Sequence, residues 1–544
     1  MSKFSALAAA LLITVVCVLS QPAAEVRFEE IASGSGLRFT LNHHPTPEKH
    51  IIETMAGGVA VFDYDGDGRP DVFFTNGAPA TTLEKQHPAD SNRLFHNDGH
   101  LHFTDVTVKA GLEGAGYSMG AAVADFDNDG HPDLFVAGVH HNILYHNRGD
   151  GTFEDVTLRT GIRSDHWAVA AGWFDFDNDG LLDLFVVNYM KWTPAFSLYC
   201  GDRSRGIRFY CHPDVFEGLS NTLYRNRGNG TFEDVSARTG LDKFVGRGMS
   251  VAFNDYDGDG FLDVVVTNDK LPNFLFHNVR GERFEEVGLT AGVGLPDAGR
   301  AVSSMGVDFR DYDNDGQPDI AIVALANETF PLFRNEGAGM FRDATYSSGL
   351  ARASAKRSGY CPALADFNND GYKDLFVSGG HVNDRIAETE PSRYKEPNMI
   401  FLNLGDGRFR DVSKSAGEAF ATTARAHRGC AVADFDGDGR MDVLVTALGE
   451  PAELWHNTTP AGAPWVEVVL RGTKSNRSAI GAQVRVGNQV QIQSSAVGYA
   501  SSSMGPVHFG GVGAGGEIEV RWPSGKRTRV PIAKLNGVQV VTEP

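Results

Sequence analysis

The chain has 544 residues, 42% of them apolar and 22% charged, a balance that supplies a large core and excludes wholesale disorder. Its 69 acidic and 49 basic residues give a net charge of −20, which excludes the basic footprint that non-specific nucleic-acid binding needs. Glycine stands out at 63 residues without low complexity, and points to many tight turns and an all-β repeat protein.

In chain order, the first element is a secretory signal over residues 1–24. Lys3 provides the basic start, and Ala6 to Leu19 form an apolar run of 14 residues, short for a bilayer span. Val18-Leu19-Ser20 or Pro22-Ala23-Ala24 offers the cleavage site; an uncleaved membrane anchor is the competing reading. A lipid on Cys17 is disfavoured because Val16 precedes it. No other segment is apolar enough to span, so the mature chain is expected to be exported, secreted or periplasmic, without a membrane span. Four cysteines then remain in an oxidising compartment. Cys200 and Cys211 are expected to form a disulfide stapling an insertion. Cys361 and Cys430 either pair or are small buried side chains.

From residue 25 to 457 one motif recurs seven times, Asp-x-Asp/Asn-x-Asp-Gly-x-x-Asp, starting at Asp63, Asp125, Asp175, Asp255, Asp311, Asp366 and Asp434, at spacings of 50 to 80 residues. Such a period belongs to propellers and solenoids. Around each motif lie a segment of small and apolar residues, a β-branched or aromatic run, an apolar stretch ending in Asn (such as Leu144-Tyr-His-Asn147), and a closing segment like Phe153-Glu-Asp-Val. This makes four short strands per repeat. The seventh repeat lacks its fourth strand, while the mature N-terminus opens with an orphan one, Val26-Arg-Phe-Glu-Glu-Ile31. The expected fold is therefore all-β: a seven-bladed β-propeller whose ring is closed by the N-terminal strand, followed by a small C-terminal β domain. Insertions at 76–92, 190–220 and 379–398 lengthen repeats one, three and six; loops on a rigid scaffold are natural recognition sites.

Carboxylates at positions 1, 3, 5 and 9 of a turning loop converge on one point, and Gly at position 6 permits the turn. Hard oxygen donors in that number suit Ca²⁺. The candidate ligands are Asp63, Asp65, Asp67 and Asp71; Asp125, Asp127, Asp129 and Asp133; Asp175, Asp177, Asp179 and Asp183; Asp255, Asp257, Asp259 and Asp263; Asp311, Asp313, Asp315 and Asp319; Asp366, Asn368, Asp370 and Asp374; and Asp434, Asp436, Asp438 and Asp442. Up to seven Ca²⁺, one per blade, are expected, with Asn368 weakening the sixth site. The 27 carboxylates of these loops exceed the net charge of −20, so the rest of the chain sums to +7. The acidity is local to the loops. Plain turn formation by Asp, Asn and Gly is the bland alternative, and seven copies in one register count against it. The position-12 Glu of an EF-hand is missing, and the flanks are strands.

A linker at 458–464 leads to residues 465–544, where alternation in Trp465-Val-Glu-Val-Val-Leu470 and Glu517-Ile-Glu-Val-Arg-Trp522 predicts a small all-β module.

These loops and strands resemble FG-GAP/VCBS repeats, as in integrin α-subunit propellers. The tail, through Gly472-Thr-Lys-Ser-Asn-Arg477, Ala479-Ile-Gly-Ala482, Gly498-Tyr499, His508-Phe-Gly510 and Arg521-Trp-Pro-Ser-Gly525, resembles an ASPIC/UnbV domain. Together they resemble bacterial relatives of cartilage acidic protein. The resemblance implies the propeller and its loop calcium; it assigns no enzymatic activity.

A search for catalytic constellations finds no Gly-x-Ser-x-Gly, no His-Glu-x-x-His and no phosphate loop. His43, His44, Lys49 and Glu53, with His140 and His141, are read as surface-loop residues. His96, His146, His277 and His456 recur at one repeat position and are read as packing or strand residues. Met55, Met119, Met249 and Met305 are read as space-fillers near a central channel. The expected function is a secreted, calcium-binding adhesion or ligand-binding module with a protein or glycan partner and no nucleic acid. The alternative is an extracellular polysaccharide-acting enzyme, lyase or hydrolase, with a propeller-face site.

Overall fold

Each acidic loop joins two antiparallel strands, and the apolar residues on its flanks decide which. In the second repeat, Tyr117–Ala124 pairs with Asp133–Val139, with Ala124 opposite Asp133 at the loop. Ile143–Asn147 and Phe153–Asp155 then complete a four-stranded sheet. Residues 25–163, 165–196, 198–460 and 462–544 are described in this computed structural model; the expected signal peptide, with Lys3 and Cys17, lies outside them. Among the described residues no helix is long and apolar enough to cross a membrane.

Six of the seven loop-bearing sheets, numbered here by their loops, repeat that order of four strands. Sheet 7 takes its fourth strand from elsewhere. Phe28–Glu30 pairs antiparallel with Glu450–Asn457, Phe28 opposite Asn457. The first strand of each sheet packs against that of the next, and His427–Ala433 of sheet 7 packs against Val59–Phe62 of sheet 1. These strands are buried along almost their whole length. Small residues let them approach: a Cβ at Gly120 would stand 2.5 Å from the Val169 carbonyl, and one at Gly58 2.6 Å from the Met119 carbonyl. Apolar layers fill the spaces between sheets, for example Phe62, Phe73, Leu134 and Val136 between sheets 1 and 2. Met55, Met119, Met249 and Met305 are all buried beside these first strands.

A recurrent role for the Asn at the end of the third strand emerges from the hydrogen bonds. Asn147, Asn226, Asn278, Asn335, Asn403 and Asn457 each donate a side-chain N–H to the carbonyl of the aromatic residue at loop position 2 of the sheet on one side, at 2.8–2.9 Å. Asn97 of sheet 1 makes the same bond to Phe435 of sheet 7, at 3.0 Å.

The C-terminal module holds a three-stranded sheet, in the order Val507–Phe509, Val466–Arg471, Val538–Thr542, and a four-stranded sheet, around a core of its own. The sequence gives no hint of how it is attached. Its segment Ala496–Met504 leaves the module and enters the centre where the first strands converge. There Ser501–Met504 runs parallel to Val59–Phe62 and joins sheet 1. Tyr499 is fully buried, and its hydroxyl donates to the Met55 carbonyl at 2.7 Å. Ala121 donates its N–H to the Ala500 carbonyl, and Val123 and Val432 donate theirs to the hydroxyls of Ser502 and Ser503. The segment thus plugs the centre and touches several sheets at once.

Two disulfides are present among the described residues. Cys200–Cys211 spans the hairpin Cys200–Asp202 and Ile207–Phe209 of the third insertion. Cys361–Cys430 joins the first strands of sheets 6 and 7 in the fully buried centre. The insertions connect second to third strands, at the ends of the sheets away from the acidic loops. They are braced there by Lys49 on Asp384 (2.6 Å), His44 on Asp90 (2.8 Å) and Tyr210 on Glu53 (3.0 Å). Glu53, expected at the surface, is fully buried, and its carboxylate also takes the Thr46 hydroxyl and N–H.

Candidate metal centres

The seven loops share one scaffold of backbone hydrogen bonds. The Gly at position 6 donates its N–H to the position-1 carboxylate at 2.6–3.0 Å in every loop. The position-9 carboxylate is almost wholly buried. One oxygen takes the N–H of the aromatic at position 2, and the other takes the N–H of the third-strand Asn, as Tyr64 and Asn97 do on Asp71. These bonds aim carboxylates 1, 3 and 9 at one point; in the first loop, Asp63, Asp65 and Asp71 place oxygens within 4.8 Å of one another.

Such crowding is costly without a cation. Burial pushes the carboxyl of Asp71 up to about 8 and those of Asp133 and Asp263 to about 7. Desolvation likewise raises Asp175 to about 7 and Asp125, Asp311 and Asp366 to about 6.

The third-strand residue before the Asn divides the loops, a distinction absent from the sequence reading. In loops 1, 2, 4 and 7 it is His96, His146, His277 and His456. Their Nδ1 atoms lie 3.0–3.2 Å from the position-9 carboxylates of Asp71, Asp133, Asp263 and Asp442. Each of these histidines is a strand residue, as the sequence reading allowed, and its ring also faces a loop and groups with carboxylates 3 and 5. Their recurrence one residue before the Asn was the available signal.

In loops 3 and 5 the same position holds arginine. Arg225 places Nε 2.7 Å from Asp177 and Nη2 2.7 Å from Asp179. Arg334 repeats this on Asp313 and Asp315, at 2.6 Å each. Each guanidinium spans carboxylates 3 and 5 as a bidentate counter-ion. The buried Lys373 also brings its ammonium to the Asp311 carbonyl of loop 5, at 2.8 Å. In loop 6 the position is Leu402, and Asn368 donates to Asp370 at 3.0 Å.

The residues therefore fit a metal unequally. Loops 1, 2, 4 and 7 offer hard oxygen donors for Ca²⁺, and their imidazoles suit an orienting role on the position-9 carboxylate better than ligation, since Ca²⁺ prefers oxygen. Loops 3 and 5, as arranged, already hold a cation against two of the four carboxylates and do not fit a dication. Loop 6 has one carboxylate fewer, and the imidazole that reaches it, His508 of the C-terminal module, meets Asn369 at 2.7 Å rather than the position-9 carboxylate.

The FG-GAP-like repeat family matches residues 63–136, 125–186, 211–266, 255–322, 311–377 and 389–445, more than half of the chain, and an FG-GAP repeat matches 429–466. ASPIC and UnbV matches 472–544. Cartilage acidic protein 1 of Mus musculus is 28% identical over 378 residues, 64% of this chain and 55% of that protein; that of Homo sapiens is 28% identical over 337 residues, 59% and 47%. The chain spans about half the length of the curated relatives it matches. Among solved structures, an Agrocybe aegerita lectin described as recognising non-reducing terminal N-acetylglucosamine aligns with a TM-score of 0.41 at 15% identity, covering 73% of this chain and 87% of the lectin.

Proposed function

The chain belongs to the FG-GAP-like repeat family and carries an ASPIC and UnbV module, and from that premise we propose that it is a secreted, calcium-binding, seven-bladed propeller that acts as an adhesion or ligand-binding module. The pairing of Phe28–Glu30 with the last sheet and the bond from Asn97 to Phe435 support a closed ring. The insertions braced at one end of the sheets support a rigid recognition face, to which a protein or glycan partner is assigned.

The observation that carries the calcium reading is the recurrent cation position. In loops 3 and 5 a guanidinium sits against carboxylates 3 and 5. Among the described residues, the same carboxylates in loops 1, 2, 4 and 7 face an imidazole and, from position 7, a single guanidinium contact from Arg69 in loop 1 or Arg440 in loop 7. Calcium there supplies the missing positive charge and ties the first two strands of a blade together, so binding contributes to stability.

The test is a thermal melt of the mature protein in excess calcium and then in chelator, with metal content measured on the same sample. The reading expects several Ca²⁺ per chain and a large fall in melting temperature on chelation. Absence of bound metal together with an unchanged melt overturns it.

A further inference from the structure

A cavity of about 690 Å³ lies between the C-terminal module and the loop-side ends of the first strands of sheets 1, 5, 6 and 7. One wall is the outer face of the three-stranded sheet. Side chains alternate along a strand, so Val466, Val468 and Leu470 enter the module's core while Glu467, Val469 and Arg471 face the cavity. Register places Val538 opposite Glu467 and Val540 opposite Val469, with His508 paired to Glu467 on the other side. Val538 and Val540 are 59% and 50% exposed, although the module has a closed core of its own. The far wall is apolar where Val61, Ala363 and Val432 reach it.

The polar groups of this wall are incompletely paired. The Glu467 side chain is 8% exposed, and its only cationic neighbour among the described residues is His508, at 3.7 Å. Among the described residues, Nδ1 of His508 has no hydrogen-bond partner, while its Nε2 meets Asn369 Oδ1 at 2.7 Å. Gln493, 8% exposed and lining the same cavity, makes no side-chain hydrogen bond among the described residues. Arg471 is exposed, and among the described residues no carboxylate lies within ion-pair distance of it. Glu467 and Arg471 lie on one face of one strand, four residues and about 13 Å apart, with Val469 and Val540 between them.

A buried carboxylate held by one imidazole at 3.7 Å, an apolar floor and a guanidinium without a carboxylate partner among the described residues, in that order over that distance, are complementary to a zwitterion with an apolar middle. Three or four extended residues span about the same length. We propose that the cleft binds a short apolar peptide with free termini, its ammonium at Glu467 and Gln493 and its carboxylate at Arg471. A cavity of this size lies within the range of small-ligand sites, which favour junctions between domains. The inference rests on the reading of the protein as a binding module and names its ligand class.

The probe is the tetrapeptide Ala-Val-Val-Ala, titrated calorimetrically into the full calcium-loaded chain. Saturable one-to-one binding is expected, with at least tenfold weaker affinity for Glu467→Gln, for Arg471→Leu and for the same peptide acetylated and amidated. Val540→Glu, on the exposed floor, is expected to abolish binding with an unchanged melting temperature. Equal affinity for free and capped peptide overturns the proposal, because the groove is then merely apolar. Absence of binding by a protein that still loses stability on chelation overturns the peptide site and leaves the module reading standing.

Discussion

The side chain of Asn97 donates to the carbonyl of Phe435 across 338 residues of sequence, and this single 3.0 Å bond connects the first loop-bearing sheet to the last. The same bond joins every other neighbouring pair, so in a closed ring Asn97 has no special status. Replacing Asn97 with Leu is expected to cost about 1–3 kcal/mol, through an unsatisfied buried carbonyl, and to match Asn278→Leu within error. Urea denaturation of both variants measures this. A neutral Asn97→Leu beside a damaging Asn278→Leu would mean an open array whose ends do not depend on each other.

Metal stoichiometry follows the third-strand residue. Asp125→Ala with Asp129→Ala is expected to remove one calcium per chain. Arg225→Leu and Arg334→Leu are expected to add one each, by freeing carboxylates 3 and 5 of loops 3 and 5. Elemental analysis after desalting against micromolar calcium reads both directions. No gain in either arginine variant would mean that the guanidiniums are not what keeps those loops from binding.

Acid should destabilise the folded chain through two imidazoles, the buried His381 and the half-buried His43. Burial first, and the charge of Arg428 second, hold His43 and His381 down to about 4. Below their ordinary value near 6.5 the unfolded chain takes up protons that the folded chain refuses, so stability is retained above that pH and is lost as pH falls from about 6.5 to 4. The slope of stability against pH in that window should flatten in His43→Gln with His381→Gln. An unchanged slope refutes this assignment.

The central plug predicts a single unfolding event. Tyr499 is fully buried among residues of the first strands, so Tyr499→Ala is expected to cost about 3–5 kcal/mol and to lower the melting of ring and C-terminal module together. A Cβ at Gly498 would stand 2.1 Å from the Cys361 sulfur, and Gly498→Val is expected to displace the plug. Calorimetry should give one endotherm for wild type; two resolved endotherms, with only the smaller moved by Tyr499→Ala, would separate the module from the ring.

Sequence and structure agree most closely where the signal is periodic. The motif at seven starts located every loop, and the orphan Val26–Ile31 segment anticipated a strand that pairs in the last sheet. What stayed hidden is non-local. Arg225 and His277 stand at the same repeat position, yet one closes a loop with its own charge and the other orients a buried carboxylate, a difference that needs the loop geometry. Glu53 looked like a surface charge because its partners, Tyr210 and Thr46, come from an insertion and from a local turn. The small residues of 495–504 carry no alternation that would announce a strand in another domain's sheet.

The bond from Tyr499 to Met55 spans 444 positions, and the segment that makes it occupies the place where all the first strands meet. Contacts of such separation are formed slowly, because long stretches of chain must be ordered before they are rewarded. The seven repeats can assemble locally as they are made, but the centre stays open until residues near 500 have been synthesised. Maturation therefore ends at a defined moment in translation, and a chain interrupted before that point would present an exposed apolar hole of the kind that quality-control proteases and chaperones recognise.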